Sequence, residues 1–465
     1  MTGYRDHPPT PAGAHAHPGH AHPARAQPVR VHTACYPARL TAGWRQTGHG
    51  ATLDEHLDRY GPLPQSGRGS RGRPGALAEA VAEAGLTGRG GAGFPTGTKL
   101  RAVAARRGPA IVVANGMESE PASEKDHALL SHAPHLVLDG AILAAEAVRA
   151  DAVHVCLPRT RPRLADLVRD AVADRHRSGI GGLPIEVHDL PHHYVSSEET
   201  SLVRWLNGGD ARPLGGSQRP FERGVRRRPT LVGNVETLAH IALIARYGPA
   251  WFREAGLPDA PGTMLVTVSG AVDDPGVYEI EAGTQLADVL AWSRARRGVA
   301  AVLVGGYLGT WHDLRAVAEM PMSARCLRRV GASPGAGVLV AVADTVCVLG
   351  ETARVLGYLA GQSAGQCGPC AFGLPAIAED FAQLASGRPR GAVLERLERR
   401  FGVVTGRGAC RHPDGAVRMA ASALAAFAVD AQAHARGMPC AAALRGAAAG
   451  GVLPIPRPWA EGEWR

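Results

Sequence analysis

The chain has 465 residues, of which 45% are apolar, and a formal net charge of +9 at pH 7. This length predicts two to four domains, and the apolar fraction is sufficient for ordinary globular cores. No apolar run approaches the length of a membrane span, so we expect no direct membrane insertion. The positive charge suits an anionic partner, either a dinucleotide or an acidic redox protein, although arginine bias in the genome explains it equally well; we expect no nucleic-acid partner.

Residues 1–50 are rich in His, Pro, Ala and Gly, and we predict that this tail is disordered because it has few large apolar groups. Its alternating histidines offer a metal no fixed geometry in a proline-interrupted segment, so we predict no metal site there. These histidines are His15, His17, His20 and His22. The eight cysteines are scattered and the N-terminus lacks a signal-peptide core, which predicts a cytoplasmic protein with metal or redox use of a few cysteines and no disulfide framework.

A glycine-rich loop, GLTGRGGAGFPTGTK over residues 85–99, follows a helical pattern over 76–84. Glycine lacks the Cβ atom that keeps backbone N–H groups away from an anion, and it permits the positive φ angles of a phosphate cradle. The chain has only two lysines, Lys99 and Lys125, so composition does not account for an ammonium group here. We therefore predict phosphate or nucleotide binding, with a plain flexible linker as the alternative. The predicted contacts are Gly88, Arg89, Gly90, Gly91, Gly93, Phe94 and Lys99.

A buried strand is predicted over 110–114, followed at once by the acidic segment NGMESEP over 115–121. Further strands over 152–157 and 185–187 are separated by helical, arginine-rich sequence, which is typical of an α/β sheet. Polar groups at the carboxyl end of a parallel strand are well placed for ligands, although a solvated acidic turn has the same composition. The segment YVSSEET over 194–200 opens a helix at which a serine can act as the N-cap.

The second half of the chain changes character twice. A strand, turn, strand and helix pattern over 263–292 continues through strands over 302–306 and 338–340, which predicts a small β-grasp unit. From Val348 onward apolar residues recur with helical spacing and predict four helices. The C-terminal part of the chain is therefore expected to be a helical domain.

The string GRGGAGFPTG over 88–97, with Lys99 after it, resembles the signature of the flavin-binding F subunit of NADH:quinone oxidoreductase. The diaphorase subunits of soluble hydrogenases and formate dehydrogenases share this signature. It differs from the G-x-G-x-x-G fingerprint of ordinary dehydrogenases, which follows a strand and is completed by an acidic residue about 20 positions on. The resemblance extends over roughly residues 75–430, and PTLVGNVET over 229–237 is similar to the family's P-T-x-V-N-N-V-E-T.

The resemblance implies that this part of the chain holds FMN and NADH. The acidic segment is similar to the family's N-A-D-E-G-E-P, with Met117 where the family has aspartate. This implies that Asn115 and Glu118 face the flavin and that Glu120 faces the nicotinamide carboxamide.

Two later motifs complete the implied nucleotide cleft. YVSSEET is similar to the family's Y-I-C-G-E-E-T, which implies that Tyr194, Glu198 and Glu199 line the cleft. Capping by Ser196 or Ser197, with the carboxylates complementing the helix dipole, is compatible with that role. In PTLVGNVET, Asn234 and Thr237 are the implied flavin contacts. The expected catalytic residues are Glu120 and Glu199.

Between the first two predicted C-terminal helices lies SAGQCGPC over 363–370. In the family this loop reads S-C-G-x-C-x-P-C and, with a distant fourth cysteine, binds a [4Fe–4S] cluster. Here Ala364 replaces the first cysteine, so the implied metal ligands are Cys367, Cys370 and Cys410. A cluster with one non-cysteine ligand, a three-iron cluster, no cluster, and a thioredoxin-like dithiol all stay open. The other cysteines lack partner spacing and are predicted to be packing residues: Cys35, Cys156, Cys326, Cys347 and Cys440.

Together these patterns and the resemblance predict an α/β fold with a Rossmann-like flavin/NADH domain, a small β-grasp domain and a C-terminal four-helix iron–sulfur domain. We expect an NADH dehydrogenase subunit that passes electrons singly to an iron–sulfur cluster or to a ferredoxin-like or [2Fe–2S] partner subunit in a hetero-oligomer. The alternatives are a flavin-free nucleotide-binding scaffold of a redox complex and a thiol–disulfide oxidoreductase that uses Cys367 and Cys370. The predicted boundaries are 1–50 (tail), 51–258 (FMN/NADH), 259–345 (β-grasp), 346–435 (helical) and 436–465 (tail).

Overall fold

The computed structural model describes residues 30–33, 38–44, 49–64, 75–216, 219–445, 451–456 and 464–465. The predictions for His15, His17, His20, His22 and Cys35 therefore lie outside the described residues.

Strands of the described residues form a parallel sheet, a mixed sheet and one two-stranded ribbon. Their bounds are β1 (Val31–Thr33), β2 (Ala110–Asn115), β3 (Ala150–Pro158), β4 (Ile185–Leu190), β5 (Thr230–Asn234), β6 (Gly256–Leu257), β7 (Ala260–Pro261), β8 (Thr263–Gly270), β9 (Gly276–Glu281), β10 (Val299–Val304), β11 (Thr310–Asp313) and β12 (Val338–Ala343).

Helices account for most of the remaining regular structure. The α-helices are α1 (Leu53–Tyr60), α2 (Ala76–Ala84), α3 (Thr96–Ala104), α4 (Lys125–His132), α5 (Pro134–Val148), α6 (Pro162–Arg177), α7 (Glu199–Leu206), α8 (Val235–Arg253), α9 (Leu286–Trp292), α10 (Leu314–Val317), α11 (Ala324–Arg328), α12 (Val348–Gly361), α13 (Leu374–Ala385), α14 (Val393–Val404), α15 (His412–Ala426), α16 (Ala428–Ala435) and α17 (Ala441–Arg445).

The predicted Rossmann-like core is a four-stranded, fully parallel sheet with the order β4-β3-β2-β5. The chain moves outward from β2 through β3 to β4 and then returns to the other side of β2 with β5. The strand order therefore reverses between β2 and β5, and ligands of open α/β sheets bind at the carboxyl ends of the strands at such a point. Asn115 and Asn234 end these two strands in register.

Helices α5 and α8 pack closely together over this sheet. Gly140 of α5 permits the contact, because a Cβ atom there would lie 1.8 Å from the carbonyl oxygen of Leu238 in α8. Among the described residues no single helix is long and apolar enough to cross a membrane. Helices α4 and α5 reach that length and composition only as a pair, and the chain bends by 97° between them.

A buried ionic network joins α1, α5, α6 and α8 around Asp139. This carboxylate pairs with His56 at 2.8 Å, with Arg175 at 2.5 Å and with Arg246. Burial raises the pKa of Asp139, but the hydrogen bond with His56 and the two guanidinium groups outweigh it and lower the pKa to about 2. The carboxylate is thus ionised at neutral pH inside the helical layer.

The mixed sheet has the order β1-β9-β8-β12-β10-β11. Its centre confirms the predicted β-grasp: β8 and β9 form an antiparallel hairpin, α9 follows, and β12 lies beside β8 and parallel to it. Strands β1 and β11 extend the sheet at its two edges.

Residues 38–44 pack against the β-grasp unit, although they fall within the segment predicted to be disordered. Leu40 is fully buried. The carboxylate of Glu279 in β9 accepts hydrogen bonds from the backbone N–H groups of Arg39 at 3.1 Å, and of Leu40 and Thr41 at 2.9 Å. A buried carboxylate thus fixes this short segment of the tail.

The C-terminal part contains the four predicted helices, α12 to α15, followed by α16 and α17. Their apolar faces share one core with a face of the β-grasp sheet, and this core includes Leu303 and Val340 of the sheet and Leu359 and Phe381 of the helices. The cysteine loop 363–370 leaves the end of α12 at this junction. The helical part is therefore packed against the sheet that precedes it.

Candidate flavin and iron–sulfur site

The glycine loop connects α2 to α3 and is open to solvent. A bridge between Thr87 and Pro95 closes its base, and the residues between Gly90 and Pro95 are exposed. Positive φ angles at Gly91 (+103°) and Gly93 (+61°) turn the backbone. A Cβ atom on Gly90 would lie 3.4 Å from the Cβ atom of Asn234, so the loop lies beside the carboxyl end of β5.

Arg89 anchors this loop to the interior. Its backbone N–H donates to Thr237 Oγ1 at 2.9 Å, and its side chain, only 12% exposed, donates to the carbonyl oxygen of Thr263 at 3.0 Å. Its guanidinium group also lies 3.9 Å from Glu236. Burial lowers the pKa of Arg89, with Glu236 opposing the shift. The structure therefore directs this predicted contact residue away from solvent and joins it to Thr237.

Lys99 and Glu199 meet across the cleft although one hundred residues separate them. Nζ of Lys99 donates to Oε2 of Glu199 at 2.9 Å, between α3 and the first residue of α7. The two side chains are 29% and 31% exposed, respectively. The structure thus brings together the lysine predicted for phosphate binding and a carboxylate predicted to be catalytic, and both remain accessible.

The acidic segment after β2 forms a strained turn. Glu118 has a φ of +33°, which is unusual for a residue with a side chain. Its carboxylate accepts hydrogen bonds from the N–H groups of Asp126 at 2.8 Å and His127 at 2.9 Å, and from the hydroxyl of Ser123 at 2.7 Å. The carboxylate of Glu118 is therefore occupied by the N-terminus of α4.

Glu120 lies buried where the β-grasp unit meets the parallel sheet. Its Oε2 accepts hydrogen bonds from the hydroxyl of Tyr194 at 2.7 Å and from the N–H group of Tyr307 at 2.9 Å. Gly306 permits this approach, since a Cβ atom there would lie 2.6 Å from the same oxygen. Burial raises the pKa of Glu120 to about 7, although these hydrogen bonds oppose the shift. The carboxyl group can therefore carry or lose a proton near neutral pH.

Asn115 and Glu198 fix the start of α7 against the parallel sheet. Nδ2 of Asn115 donates to the carbonyl oxygen of Ser197 at 2.9 Å. The carboxylate of Glu198 is the N-cap of α7 and accepts hydrogen bonds from the N–H groups of Thr200 at 2.9 Å and Ser201 at 3.2 Å. The N-cap is therefore Glu198 and not a serine, as the sequence had predicted.

A buried ionic cluster beneath Asn234 was missed by the sequence analysis. Nζ of Lys125, 3% exposed, lies 2.5 Å from Asp126 and 2.9 Å from Glu236. Nδ2 of Asn234 donates to Asp126 at 2.7 Å. Burial lowers the pKa of Lys125, but the two carboxylates outweigh it and raise the pKa. The rarity of lysine in this chain was the available signal, and it applied to Lys125 as well as to Lys99.

The structure brings Cys367, Cys370 and Cys410 together at the end of α12. Burial and the neighbouring sulfur atoms of Cys367 and Cys410 raise the pKa of Cys370 to about 12, and the hydroxyl of Ser363 bonds to the same thiol. Burial, and to a smaller extent the carboxylate of Glu198, raises the pKa of Cys410. Among the three cysteines, Cys410 therefore lies within electrostatic reach of Glu198, the cap of α7.

Hydrogen bonds of Gln362 and Gln366 fasten the cysteine loop to the α/β core, including one that Nε2 of Gln366 donates to the carbonyl oxygen of Pro213 at 2.9 Å. Gln362 accepts from the N–H group of Tyr194 at 3.1 Å, and Gln366 accepts from the guanidinium group of Arg204 at 2.9 Å. The Cys-Gly-Pro-Cys sequence lies between α12 and α13, whereas the thioredoxin motif is expected within a βαβ unit. The surroundings therefore differ from those of a thioredoxin site.

The residues fit the two groups that the motifs imply. The exposed backbone of the glycine loop leaves room for a phosphate, and Thr96 Oγ1, buried beside it, has no hydrogen-bond partner among the described residues. Three sulfur atoms with a serine hydroxyl next to them suit an iron–sulfur cluster that has one ligand other than cysteine.

Comparison with known proteins gives matches over both parts of this site. The family model of the Nuo51 FMN-binding domain matches residues 81–243, and that of the NADH-ubiquinone oxidoreductase-F iron-sulfur binding region matches residues 350–434.

Known proteins are also similar to this chain over most of its length. The F 2 subunit of NADH-quinone oxidoreductase in Rhizobium meliloti is 30% identical over 375 residues, which cover 78% of this chain and 89% of that protein. The F subunit of the Escherichia coli enzyme is 30% identical over 371 residues, which cover 76% and 83%. A solved structure of NAD+-reducing [NiFe]-hydrogenase in the air-oxidized state has a TM-score of 0.75 and 28% identity, covering 89% of this chain and 68% of that one.

Proposed function

The chain belongs to the family of NADH-quinone oxidoreductase F subunits, and from this premise we propose that it oxidises NADH through FMN and passes the electrons singly to an iron–sulfur cluster. Bound FMN supplies the step between the two, because a flavin accepts a hydride and can release its electrons one at a time. The observation that carries the proposal is that α7 links the two parts of the site: its first residue, Glu199, pairs with Lys99, and its Arg204 donates a hydrogen bond to Gln366 in the cysteine loop.

In this proposal the glycine loop and Lys99 hold the FMN phosphate. The backbone N–H groups of the exposed glycines supply donors, and the partly exposed ammonium group supplies charge. The side chain of Phe94, 53% exposed at the tip of the loop, is available to pack against a flat ring. The exposed glycines are Gly90, Gly91 and Gly93, whereas the N–H group of the half-buried Gly88 donates to the carbonyl oxygen of Phe94 at 2.9 Å and closes the base of the loop.

Residues at the carboxyl ends of β2 and β5 position the flavin ring. Asn115 and Asn234 end these strands in register, and Thr237 holds the loop through the backbone of Arg89. Glu118 contributes by stabilising the turn after β2, because its carboxylate accepts hydrogen bonds from backbone N–H groups at the start of α4. The support for this assignment is their convergence at the reversal of strand order.

Glu120 and Glu199 orient the nicotinamide nucleotide. Glu120 holds a buried carboxyl group at a fixed position through Tyr194, and a carboxamide offers both a donor and an acceptor to it. Glu199 carries a partly exposed carboxylate on the opposite wall, paired with Lys99. Glu198 caps α7 and thereby fixes the start of the helix that carries Glu199.

The cluster ligands are the sulfur atoms of Cys367, Cys370 and Cys410. The hydroxyl of Ser363 or a water molecule serves as the fourth ligand in place of the family cysteine that Ala364 replaces. The contact of Ser363 with Cys370 supports the first choice. The motif's position outside a βαβ unit disfavours the thiol–disulfide alternative.

The relatives are named as subunits, so the chain acts within a hetero-oligomer. We propose a ferredoxin-like or [2Fe–2S] subunit as the electron-transfer partner. Phe372, 78% exposed and two residues from Cys370, gives such a partner an apolar contact beside the cluster, and a net charge of +9 favours an acidic surface. The seven free cysteines of the described residues suit a reducing compartment, which supports the cytoplasm as its location.

Anaerobic purification followed by flavin, iron and rapid-mixing measurements tests the function. We expect bound FMN, bound iron, and loss of the oxidised flavin absorbance on mixing with NADH. A colourless protein that gains no NADH-reducible flavin on reconstitution with FMN would instead support the flavin-free scaffold.

A further inference from the structure

Three further side chains that can bind metal converge outside the flavin and cluster site. Cys347 precedes α12, His434 lies in the last turn of α16, and Cys440 precedes α17. The two sulfur atoms and one ring nitrogen all lie within 4.8 Å of one another. Sγ of Cys347 is 3.9 Å from Nε2 of His434, although 87 residues separate them. Only the fold brings these residues together, so their sequence spacing gave no sign of the group.

The hydrogen bonds of His434 place an unprotonated ring nitrogen close to the two sulfur atoms. The ring is fully buried, and its Nδ1 lies 3.2 Å and 3.1 Å from the carbonyl oxygens of Leu384 and Ala385 at the end of α13. Carbonyl oxygens only accept, so these partners assign the proton to Nδ1 and leave Nε2 unprotonated. Metal-bound histidines are commonly held in this way, with the other ring nitrogen bonded to a carbonyl group.

Cys347 and Cys440 each lie immediately before a helix, and the sulfur atom of each accepts a hydrogen bond from a backbone N–H group. Sγ of Cys347 accepts from the N–H group of Gly350 at 3.4 Å, and Sγ of Cys440 accepts from that of Ala443 at 3.4 Å. Hydrogen bonds from backbone N–H groups to the sulfur atom are outer contacts that orient a metal ligand. Both potential sulfur ligands therefore have the outer contacts that a metal site requires.

We propose that Cys347, His434 and Cys440 bind one Zn²⁺ ion, separate from the iron–sulfur site. Two thiolates and an imidazole form a donor set that zinc prefers in tetrahedral geometry. Zn–S and Zn–N bonds of about 2.3 Å and 2.0–2.1 Å correspond to a sulfur–nitrogen separation of about 3.6 Å. The observed 3.9 Å requires a movement of only a few tenths of an ångström.

Coordination replaces one existing contact. Nε2 of His434 accepts a hydrogen bond from the backbone N–H group of Cys440 at 3.0 Å, and the metal takes over this lone pair. Within the part of the chain that the structure describes, no fourth His, Cys, Asp or Glu joins the group at the same distances, so a water molecule completes the tetrahedron. The proposal assigns Cys347 and Cys440 a metal-binding role in place of the packing role predicted from the sequence.

The ion would join the start of α12 to the end of α16. Helix α12 ends at Gly361, immediately before the cysteine loop, so this link holds the helix that positions Cys367 and Cys370. Closing a long loop by metal coordination stabilises the folded state. The proposed role is therefore structural support of the cluster-binding helices.

Elemental analysis of the untagged, full-length protein tests the proposal. We expect about one zinc per chain after exhaustive dialysis, because the three protein ligands form a single site. Cys347→Ser and His434→Gln should lose this zinc, whereas Cys326→Ser, at a half-buried cysteine outside the group, should keep it. Cys370→Ser should lower iron and leave zinc unchanged. Equal zinc in wild type and Cys347→Ser would place the ion elsewhere, for instance on the histidines of residues 15–22, and would overturn the proposal.

A second measurement avoids variants that fail to fold. Wild-type protein treated with a zinc chelator should melt at a lower temperature, react faster at Cys347 and Cys440 with a thiol reagent, and recover both properties on addition of Zn²⁺. Added Co²⁺ should give the visible absorption of a tetrahedral thiolate site. A folded protein that binds neither ion, or a Cys347–Cys440 disulfide in protein prepared without reductant, would refute the site.

Discussion

The hydroxyl of Tyr194 donates a hydrogen bond to Oε2 of Glu120 at 2.7 Å, between the start of α7 and the turn after β2. This bond favours the ionised form of a carboxyl group whose pKa burial raises to about 7. In Tyr194→Phe one hydrogen bond worth about 1 kcal/mol is lost, so the pKa of Glu120 should rise by about 0.7 units. The pH profile of kcat/KM for NADH measures this shift. Tyr358→Phe, which alters a neighbouring ring, should leave the profile in place.

Glu120→Gln should alter the pH dependence of stability. The folded pKa of about 7 lies above the ordinary value of 4.5, so the stabilising contribution of protonated Glu120 is fully present below pH 4.5 and is lost as the pH rises to 7. Because glutamine does not titrate, the variant should not show this decrease in the free energy of unfolding. Relative to wild type, its free energy of unfolding should increase by up to about 3 kcal/mol from pH 5 to pH 8, which urea titrations at several pH values measure. A constant difference would show that this carboxyl does not titrate in that range. At neutral pH the variant should also have a higher KM for NADH.

Lys99→Met should weaken FMN binding at least tenfold. A lost charge-assisted hydrogen bond costs roughly 1.5–3 kcal/mol, which corresponds to at least a tenfold change in Kd. Fluorescence titration of deflavinated protein with FMN measures it. Arg101→Met removes an exposed positive charge from the same helix and serves as the control. If Lys99→Met and Arg101→Met bind FMN with equal affinity, a cationic group other than Lys99 binds the FMN phosphate.

Ala364→Cys should convert an oxygen-sensitive cluster into a stable four-iron cluster. With three cysteines one iron has a weaker ligand, so aerobically isolated wild type should contain less than four irons per chain and tend toward a three-iron species. Iron analysis and electron paramagnetic resonance measure both states. Ala371→Cys adds a thiol at an exposed position of the same segment and should not have this effect. If neither wild type nor Ala364→Cys takes up iron on anaerobic reconstitution, the cluster assignment fails.

Asp139→Asn should destabilise the protein by about 3–5 kcal/mol, because it leaves Arg175 and Arg246 without their buried counter-charge. Denaturant unfolding at pH 7 provides the measurement. Asp166→Asn, at a largely exposed side chain in α6, should change stability by less than 1 kcal/mol. If both variants lose a similar free energy of unfolding, the Asp139 network has no special importance for stability.

Local patterns in the sequence predicted the parallel strands, the glycine loop and the helical C-terminal part. Those features depend on spacing over a few residues, or on a motif such as GRGGAGFPTG. Contacts between distant segments were not predictable in this way. Glu279 binds Arg39 from 240 positions away, and Lys125 pairs with Glu236 through the fold alone. The sequence also could not show that backbone N–H groups of α4 would donate hydrogen bonds to the carboxylate of Glu118.

The two lysines of the chain differ in accessibility, and this difference makes amine chemistry selective. The ammonium group of Lys125 is enclosed by carboxylates, whereas Lys99 is partly exposed on the wall of the cleft. An acylating reagent therefore meets one accessible ε-amine in the folded chain. Peptide mass mapping of that single adduct, with and without FMN, would report occupancy of the cleft in the unaltered protein.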